Sequence, residues 1–305
     1  MNASPKANER LARAIDSLHG LSCGDAFGER FFLHPEVAQS LIAQRAIPSK
    51  PWRYTDDTAM AIAITETLEE FEEIQAERLA ENFGKRFIAD SHRGYGPAMH
   101  SLLPELAERP GHWKQLAPQL FKGKGSFGNG AAMRVAPLGA YFADDLDILI
   151  QQAELSALIT HSHPEGVAGA IAVALAAALA WRHKNSPMRA QQFLEEIGQR
   201  TPESEVGRRI ARARDLDDDT TVEKAVAILG NGAEISAQDT VPFCLWVAAH
   251  GLDSYEDSLW TTVSGLGDRD TTCAVVGGIV VMSAGFDRIP KSWLESREPL
   301  PLWFL

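Results

Sequence analysis

The sequence is poor in cysteine, long apolar runs, strand-like alternation and basic residues, and each shortage excludes something. Three cysteines, Cys23, Cys244 and Cys273, are odd in number and sit in apolar surroundings, so a disulfide framework is not expected and each reads as a buried thiol. The longest apolar run, residues 167–181, falls short of the roughly 20 residues a bilayer span needs and is mostly alanine, which suits a closely packed core helix. The first residues lead into Glu9, Arg10, Arg13 and Asp16 without the apolar core of a signal peptide, and the expected compartment is the cytoplasm. Twenty-nine Lys and Arg against 41 Asp and Glu leave a net charge of -12, which argues against a phosphate-tracking nucleic-acid surface and against an anionic membrane. Strict apolar/polar alternation is nearly absent and no hairpin signal joins two strand-like runs.

What is present is helical periodicity. Leu11, Ala14, Ile15, Leu18 and Leu21 recur at three- and four-residue spacing, predicting a helix over residues 7–21 that ends at Ser22-Cys23-Gly24-Asp25-Ala26-Phe27-Gly28. The two glycines there allow either a sharp turn toward a ligand or plain helix packing. Further helices are predicted over about 58–73, with Met60, Ile64, Leu68 and Phe71 on one face, and over 76–89, 147–159, 241–249 and 254–263. The 305 residues, 45% of them hydrophobic, are expected to form one all-α domain spanning 1–305, with ten or more helices and glycine-rich loops gathered at one face.

The chemistry is concentrated at two helix starts. Thr55-Asp56-Asp57-Thr58 opens a buried helix with more acidity than capping requires. Asp268-Arg269-Asp270-Thr271 repeats the idea before the apolar run 274–282, with Arg269 free to point to solvent. Asp carboxylates and Thr hydroxyls are hard oxygen ligands suited to Mg²⁺ or Mn²⁺. If the two sets meet, one carboxylate can bridge two ions roughly 3.5 to 4 Å apart. Between them lies Gly123-Lys124-Gly125-Ser126-Phe127-Gly128-Asn129-Gly130, whose backbone N–H groups could cradle a phosphate or ribose, although it lacks the P-loop ending and the dinucleotide spacing. His161 and His163 form a loop pair whose ordinary reading is solvent-facing. Asp215-Leu216-Asp217-Asp218-Asp219 resembles a calcium loop but has Thr220 and Val226 where Gly and Glu are needed, so it reads as a solvated loop.

Gly24-Asp25-Ala26-Phe27-Gly28, Thr55-Asp56-Asp57-Thr58, Gly128-Asn129-Gly130-Ala131-Ala132-Met133-Arg134, Thr160-His161 and Gly267-Asp268-Arg269-Asp270-Thr271 resemble, in order and spacing, the motifs of the ADP-ribosylglycohydrolases, of the type that reactivates dinitrogenase reductase. That resemblance implies an all-α fold with two Mg²⁺ or Mn²⁺ ions in a cleft, hydrolysing the bond between ADP-ribose and an acceptor, commonly a protein side chain. It implies Thr55, Asp56 and Asp57 as ligands of one ion, and Asp268, Asp270 and Thr271 of the second, with Asp270 bridging. Gly128, Asn129, Gly130, Ala131, Met133 and His161 would hold the ADP-ribose. Asp56, Asp57 and Asp270 would serve the chemistry, Asp57 taking the proton of the attacking water. The chain departs from the family where a Glu usually stands seven residues past the Asp of the first motif: the position is Phe32. Glu29, three residues earlier, is the candidate substitute if the turn is helical. Alternative readings are an ADP-ribose-binding relative without turnover, and a metal-dependent phosphohydrolase, against which stands the lack of any His-Asp dipeptide.

Overall fold

The computed structural model describes residues 5–186 and 188–301, and among these there are sixteen α-helices and no β-strand. Two isolated bridges, Trp52 with Arg297 and Gly128 with Ser236, are the extent of β pairing described. The core is built on the crossing of α1 (Pro5–Glu29) and α15 (Arg269–Ala284). These helices run antiparallel: Gly28 lies against Arg269, Gly24 against Cys273 and Gly20 against Gly277. A Cβ at Gly24 would fall 2.1 Å from the Cys273 carbonyl oxygen, so the absence of side chains every fourth residue is what lets the two backbones touch. The Tyr255 hydroxyl donates to the Gly20 carbonyl at 2.6 Å and fixes the crossing from the side. The helix predicted to stop near Ser22 therefore continues to Glu29. The glycines serve packing rather than a turn, and tertiary contact offsets their cost of about 1 kcal/mol each in a helix.

Helix α2 (Pro35–Ala43) follows α1 and packs on the later helix Tyr255–Ser264. Helix α3 (Asp56–Phe71) begins at Thr55, whose extended backbone and side-chain oxygen cap the Asp57 N–H, and ends where Glu72 enters the left-handed region at φ 60. It is buried on nearly every side, although Phe71, expected on its inner face, is 38% exposed. Helices α4 (Ala76–Ala89) and α5 (Met99–Glu108) pack as a pair, with Gly84 pressed on the Leu103 carbonyl. Helix α6 (Trp113–Gly123) breaks at Leu120, Phe121 and Lys122, the last two with φ of 52 and 62.

The short α7 (Ala136–Tyr141) and α8 (Leu146–Leu158) lead to α9 (Pro164–Arg182), the alanine-rich helix. Alpha9 is long and apolar enough to cross a membrane by length and composition, but 83% of its apolar window is buried inside the protein, as expected of a core helix. Its start is capped by His163, whose Nδ1 accepts from the Glu165 N–H at 3.2 Å. Helices α10 (Ala190–Arg200), α11 (Glu205–Arg214), α12 (Val222–Leu229), α13 (Ala237–His250) and α14 (Tyr255–Ser264) complete the shell before α15, and α16 (Lys291–Leu294) follows it. Asp217, Asp218 and Asp219 are exposed in the α11–α12 connection, as the solvated-loop reading expects.

Candidate active site

The starts of α3 and α15 open on one cleft of about 300 Å³, lined by Asp56, Asp57, Asp268, Asp270 and Thr271 together with Gly128, Asn129, Gly130, Met133 and His161. Two acidic sets 212 residues apart in sequence, counting from Asp56 to Asp268, are thus neighbours in space. The α1–α15 crossing is responsible: it carries Asp25 of α1 to the start of α3 and Asp270 to the same place. A larger open groove of about 740 Å³ on the outer faces of α3 and α4 is lined by Glu66, Glu70, Arg78, Lys85 and Arg86, charges engaged mainly with one another.

Asp25 is the central acid and was not singled out as a ligand from sequence. It is fully buried and accepts from four donors: the Thr55 N–H at 3.0 Å, the Thr55 hydroxyl at 2.9 Å, the Thr58 N–H at 3.1 Å and the Thr58 hydroxyl at 2.5 Å. It therefore anchors the first turn of α3 from α1. Thr55 Oγ1 also lies 3.0 Å from Asp57 Oδ2, so its one proton is shared between the Asp25 and Asp57 carboxylates, while Asp57 Oδ1 is buried with no hydrogen-bond partner among the described residues. Across the cleft, Asn129 Nδ2 donates to Asp268 Oδ2 at 2.7 Å and to Thr240 Oγ1 at 3.1 Å, tying the glycine loop to the start of α15. The turn before Asp268 passes through Leu266 at φ 57 and Gly267 at φ 64. A Cβ at Gly267 would meet the Asn231 carbonyl oxygen at 2.2 Å, so this turn requires glycine on both counts.

Burial dominates the electrostatics, and mutual repulsion adds to it. Burial pushes Asp25 up to about 6 against the opposing pull of its four hydrogen bonds. Burial, then the Asp25 charge, pushes Asp56 up to about 8. Burial, then the neighbouring carboxylates, hold Asp57 and Asp270 well above the usual carboxylate range, and Asp268 is raised chiefly by burial. The cation facing this cluster from below is the fully buried Arg134, whose guanidinium lies 4.2 Å over the Phe83 ring and which burial draws down to about 9. Burial, then the Arg134 charge, depress His161 to about 3, so its ring is neutral at physiological pH.

Several expectations are displaced by the structure. His161 is buried at 5% exposure and lines the cleft, because the Ala157 carbonyl turns its backbone inward and Gly128 and Gly130 leave room for its ring. Arg269 does not point to solvent: it is 8% exposed, with its guanidinium 5.2 Å over the Phe32 ring. Thr55 and Ala131 are buried behind the cleft wall rather than lining it. Glu29 sits at the exposed end of α1, close enough to Asp268 to feel its charge but outside the lining. Among the described residues, no three His, Cys, Asp or Glu side chains are gathered tightly enough to hold a metal ion by themselves. Asp25 is turned to its threonines and Asp268 to Asn129. The opposite wall, Gly94 to Met99 with Phe121 and Ile235, carries no signal that sequence reasoning could use. Ile235 is 63% exposed at φ 51, a conformation set by its loop.

The fold and the cleft define an all-α protein with one acidic, glycine-walled ligand site. A family model described as ADP-ribosylglycohydrolase matches residues 6–302. The chain is 30% identical over 335 aligned residues to the ADP-ribosylhydrolase ARH3 of Homo sapiens, covering 96% of this chain and 91% of that protein. It is 25% identical to the ADP-ribosyl-[dinitrogen reductase] glycohydrolase of Rhodospirillum rubrum, covering 93% of this chain and 89% of the other. A solved structure described as an ADP-ribosylglycohydrolase-related protein complex superposes with a TM-score of 0.65 at 22% identity, over 95% of this chain and 93% of that one, which shows the shared fold. The chain belongs to the ADP-ribosylglycohydrolase family, and its reaction class is the hydrolysis of ADP-ribose linkages.

Proposed function

We propose that this chain is a metal-dependent hydrolase that cleaves the glycosidic bond between ADP-ribose and an acceptor, the acceptor being an ADP-ribosylated protein side chain. The observation that carries the reading is the meeting of Asp56, Asp57, Asp268 and Asp270 in one cleft, with the buried Asp25 behind the start of α3 and Asp57 Oδ1 left without a partner among the described residues. Crowded hard oxygens whose neighbouring buried cations are Arg134 and Arg269 fit a pair of Mg²⁺ or Mn²⁺ ions. Thr55, Asp56 and Asp57 would hold one, and Asp268, Asp270 and Thr271 the other. When bound, such ions neutralise the acids, engage the ribose hydroxyls and lower the pKa of a water.

The chain's own residues supply the rest. The backbone of Gly128 and Gly130, with His161 behind it, forms the wall against which ADP-ribose is held. Asp57, buried and raised in pKa, is the base that takes the proton of the attacking water. The acidic cluster stabilises the oxocarbenium-like charge that develops at the anomeric carbon. The names of the relatives, an ADP-ribosylhydrolase and an ADP-ribosyl-[dinitrogen reductase] glycohydrolase, support an ADP-ribosylated substrate.

Phe32 favours a second reading, an ADP-ribose binder without turnover, because its half-exposed ring occupies the position of the family's Glu and packs on Arg269. Release of ADP-ribose from ADP-ribosylated arginine and serine peptides, with and without Mg²⁺, beside calorimetric titration of ADP-ribose, separates the two. Mg²⁺-dependent release supports the hydrolase. Binding with no release on any acceptor selects the second reading, and free phosphate as the product rejects both.

A further inference from the structure

A chain of buried polar contacts runs from the core to the cleft. Arg134, fully buried, donates from one terminal nitrogen to the Ser156 carbonyl at 3.1 Å and to Thr160 Oγ1 at 2.8 Å. Thr160, also fully buried, places the same Oγ1 2.7 Å from Nδ1 of His161. A guanidinium has no acceptor, so Thr160 Oγ1 accepts from Arg134 and must send its own proton elsewhere. Among the described residues, His161 Nδ1 is the acceptor it has. Were Nδ1 protonated, two donors would meet at Oγ1 and the threonine proton would be stranded in a dry site, which costs more than a hydrogen bond gains. Nδ1 is therefore the acceptor, and the ring hydrogen sits on Nε2.

That nitrogen is at the cleft wall. A Cβ at Gly130 would lie 2.9 Å from His161 Nε2, and one at Gly128 3.3 Å from it, so the two glycines admit the ring edge to the ligand side of the loop. His161 lines the cleft beside both. We propose that Arg134 and Thr160 are positioning residues that lock His161 as its Nε2–H tautomer, so that it presents a neutral hydrogen-bond donor to an oxygen of ADP-ribose bound in the cleft. The tautomer stands on the contacts alone; the identity of the acceptor rests on the proposed function. Arg134, which touches no ligand, acts through Thr160. Thr160 acts through the ring.

The test uses the whole protein labelled with ¹⁵N in its nine histidines. The His161 ring signals are assigned by their loss in His161→Gln, and long-range ¹⁵N–¹H correlation reads the tautomer. The expected pattern is a pyridine-like Nδ1 and a pyrrole-like Nε2, and the reverse overturns the proposal without any variant having to fold. Thr160→Ser keeps the hydroxyl and should keep both the pattern and ADP-ribose affinity. Thr160→Val should lose the pattern and weaken ADP-ribose binding by about ten-fold, the scale of one buried hydrogen bond. Equal affinity of the Ser and Val variants overturns the positioning role. If wild-type protein binds no ADP-ribose, the proposed function and the donor's target fall together, while the ring signals still decide whether the lock exists.

Discussion

Replacing Gly28 by alanine places a methyl group 2.1 Å from the Arg269 carbonyl oxygen and 2.9 Å from the Asp270 Cα, on backbone that no side-chain rotation can clear. Ordinary contact begins near 3.4 Å, so α15 must retreat from α1 by about 1.3 Å at its first turn. Overpacking of this kind costs about 1–3 kcal/mol, and the better helix propensity of alanine returns up to about 1 kcal/mol. The net loss of up to about 3 kcal/mol corresponds, for a 305-residue chain, to a fall in Tm of up to about 5 °C. Function should suffer far more, because Arg269 is flanked by Asp268 and Asp270, and a misplacement of about 1 Å can lower turnover about 100-fold. Differential scanning fluorimetry and an ADP-ribose release assay on the same preparation read both quantities. Gly198→Ala is the control: its new Cβ would meet Ile210 at an ordinary 3.6 Å, so Tm should hold or rise slightly. A Gly28→Ala protein with wild-type Tm and turnover would refute the claim that this glycine sets the distance between the two acidic helix starts.

Asp57→Asn and Asp270→Asn should each lower turnover by about 10²–10⁴-fold, and each should reduce the Tm gain produced by Mg²⁺; near-wild-type release by either variant removes that residue from the mechanism. Folded-state pKa values raised to about 6 for Asp25 and about 8 for Asp56, against 3.8 as the reference value, mean that the native protein holds protons the unfolded chain has released. Their stabilising contribution is complete below pH 4 and is lost as pH rises through the folded values. His161, depressed from 6.5 to about 3, opposes this only below its unfolded value, so between pH 6.5 and 8 the Tm of chelator-treated protein should fall with rising pH. Saturating Mg²⁺ should flatten that slope, and a Tm that rises across the window would contradict the buried acid cluster. Phe27 stacks on Trp293 at 4.4 Å between ring centroids and meets Phe31, Trp52 and Trp260 edge-on or tilted, so Phe27→Ala should cost about 3–5 kcal/mol in urea unfolding. A loss under about 1 kcal/mol would show that the aromatic cluster repacks.

The helical class, the buried alanine-rich helix and the caps were legible because they are local. Periodicity at 3.6 residues fixes a helix and its face, and α4 begins and ends at the residues expected, Ala76 and Ala89. Thr55 was readable as a cap because a hydroxyl before an apolar segment is suited to accept from the N–H groups of the first turn. The shorter helices α2, α5, α7, α10, α11 and α12 were not foreseen, since helices of 6 to 11 residues carry few periods and depend on tertiary packing. Gly24 and Gly28 were read with two open meanings, a turn or a crossing, and nothing in their own segment could decide between them.

The sequence by itself determined the chemistry available: Thr and Asp oxygens at two helix starts, a glycine-rich loop, and a histidine after Thr160. Only the tertiary structure decided which of these groups meet. Asp25 became the central acid because the α1–α15 crossing carries it under Thr55 and Thr58, a relation spanning at least 30 residues that no local pattern encodes. Arg269 lies over the Phe32 ring because the antiparallel α1–α15 crossing, with Gly28 on the Arg269 carbonyl, sets the end of α1 beside the start of α15. His161 passed from an apparent loop residue to a cleft residue because the Ala157 carbonyl turns its backbone inward and Gly128 and Gly130, more than 30 positions earlier, leave room for its ring. Capping and periodicity act within a few residues, whereas burial, charge crowding and hydrogen-bond partners are properties of the packed chain.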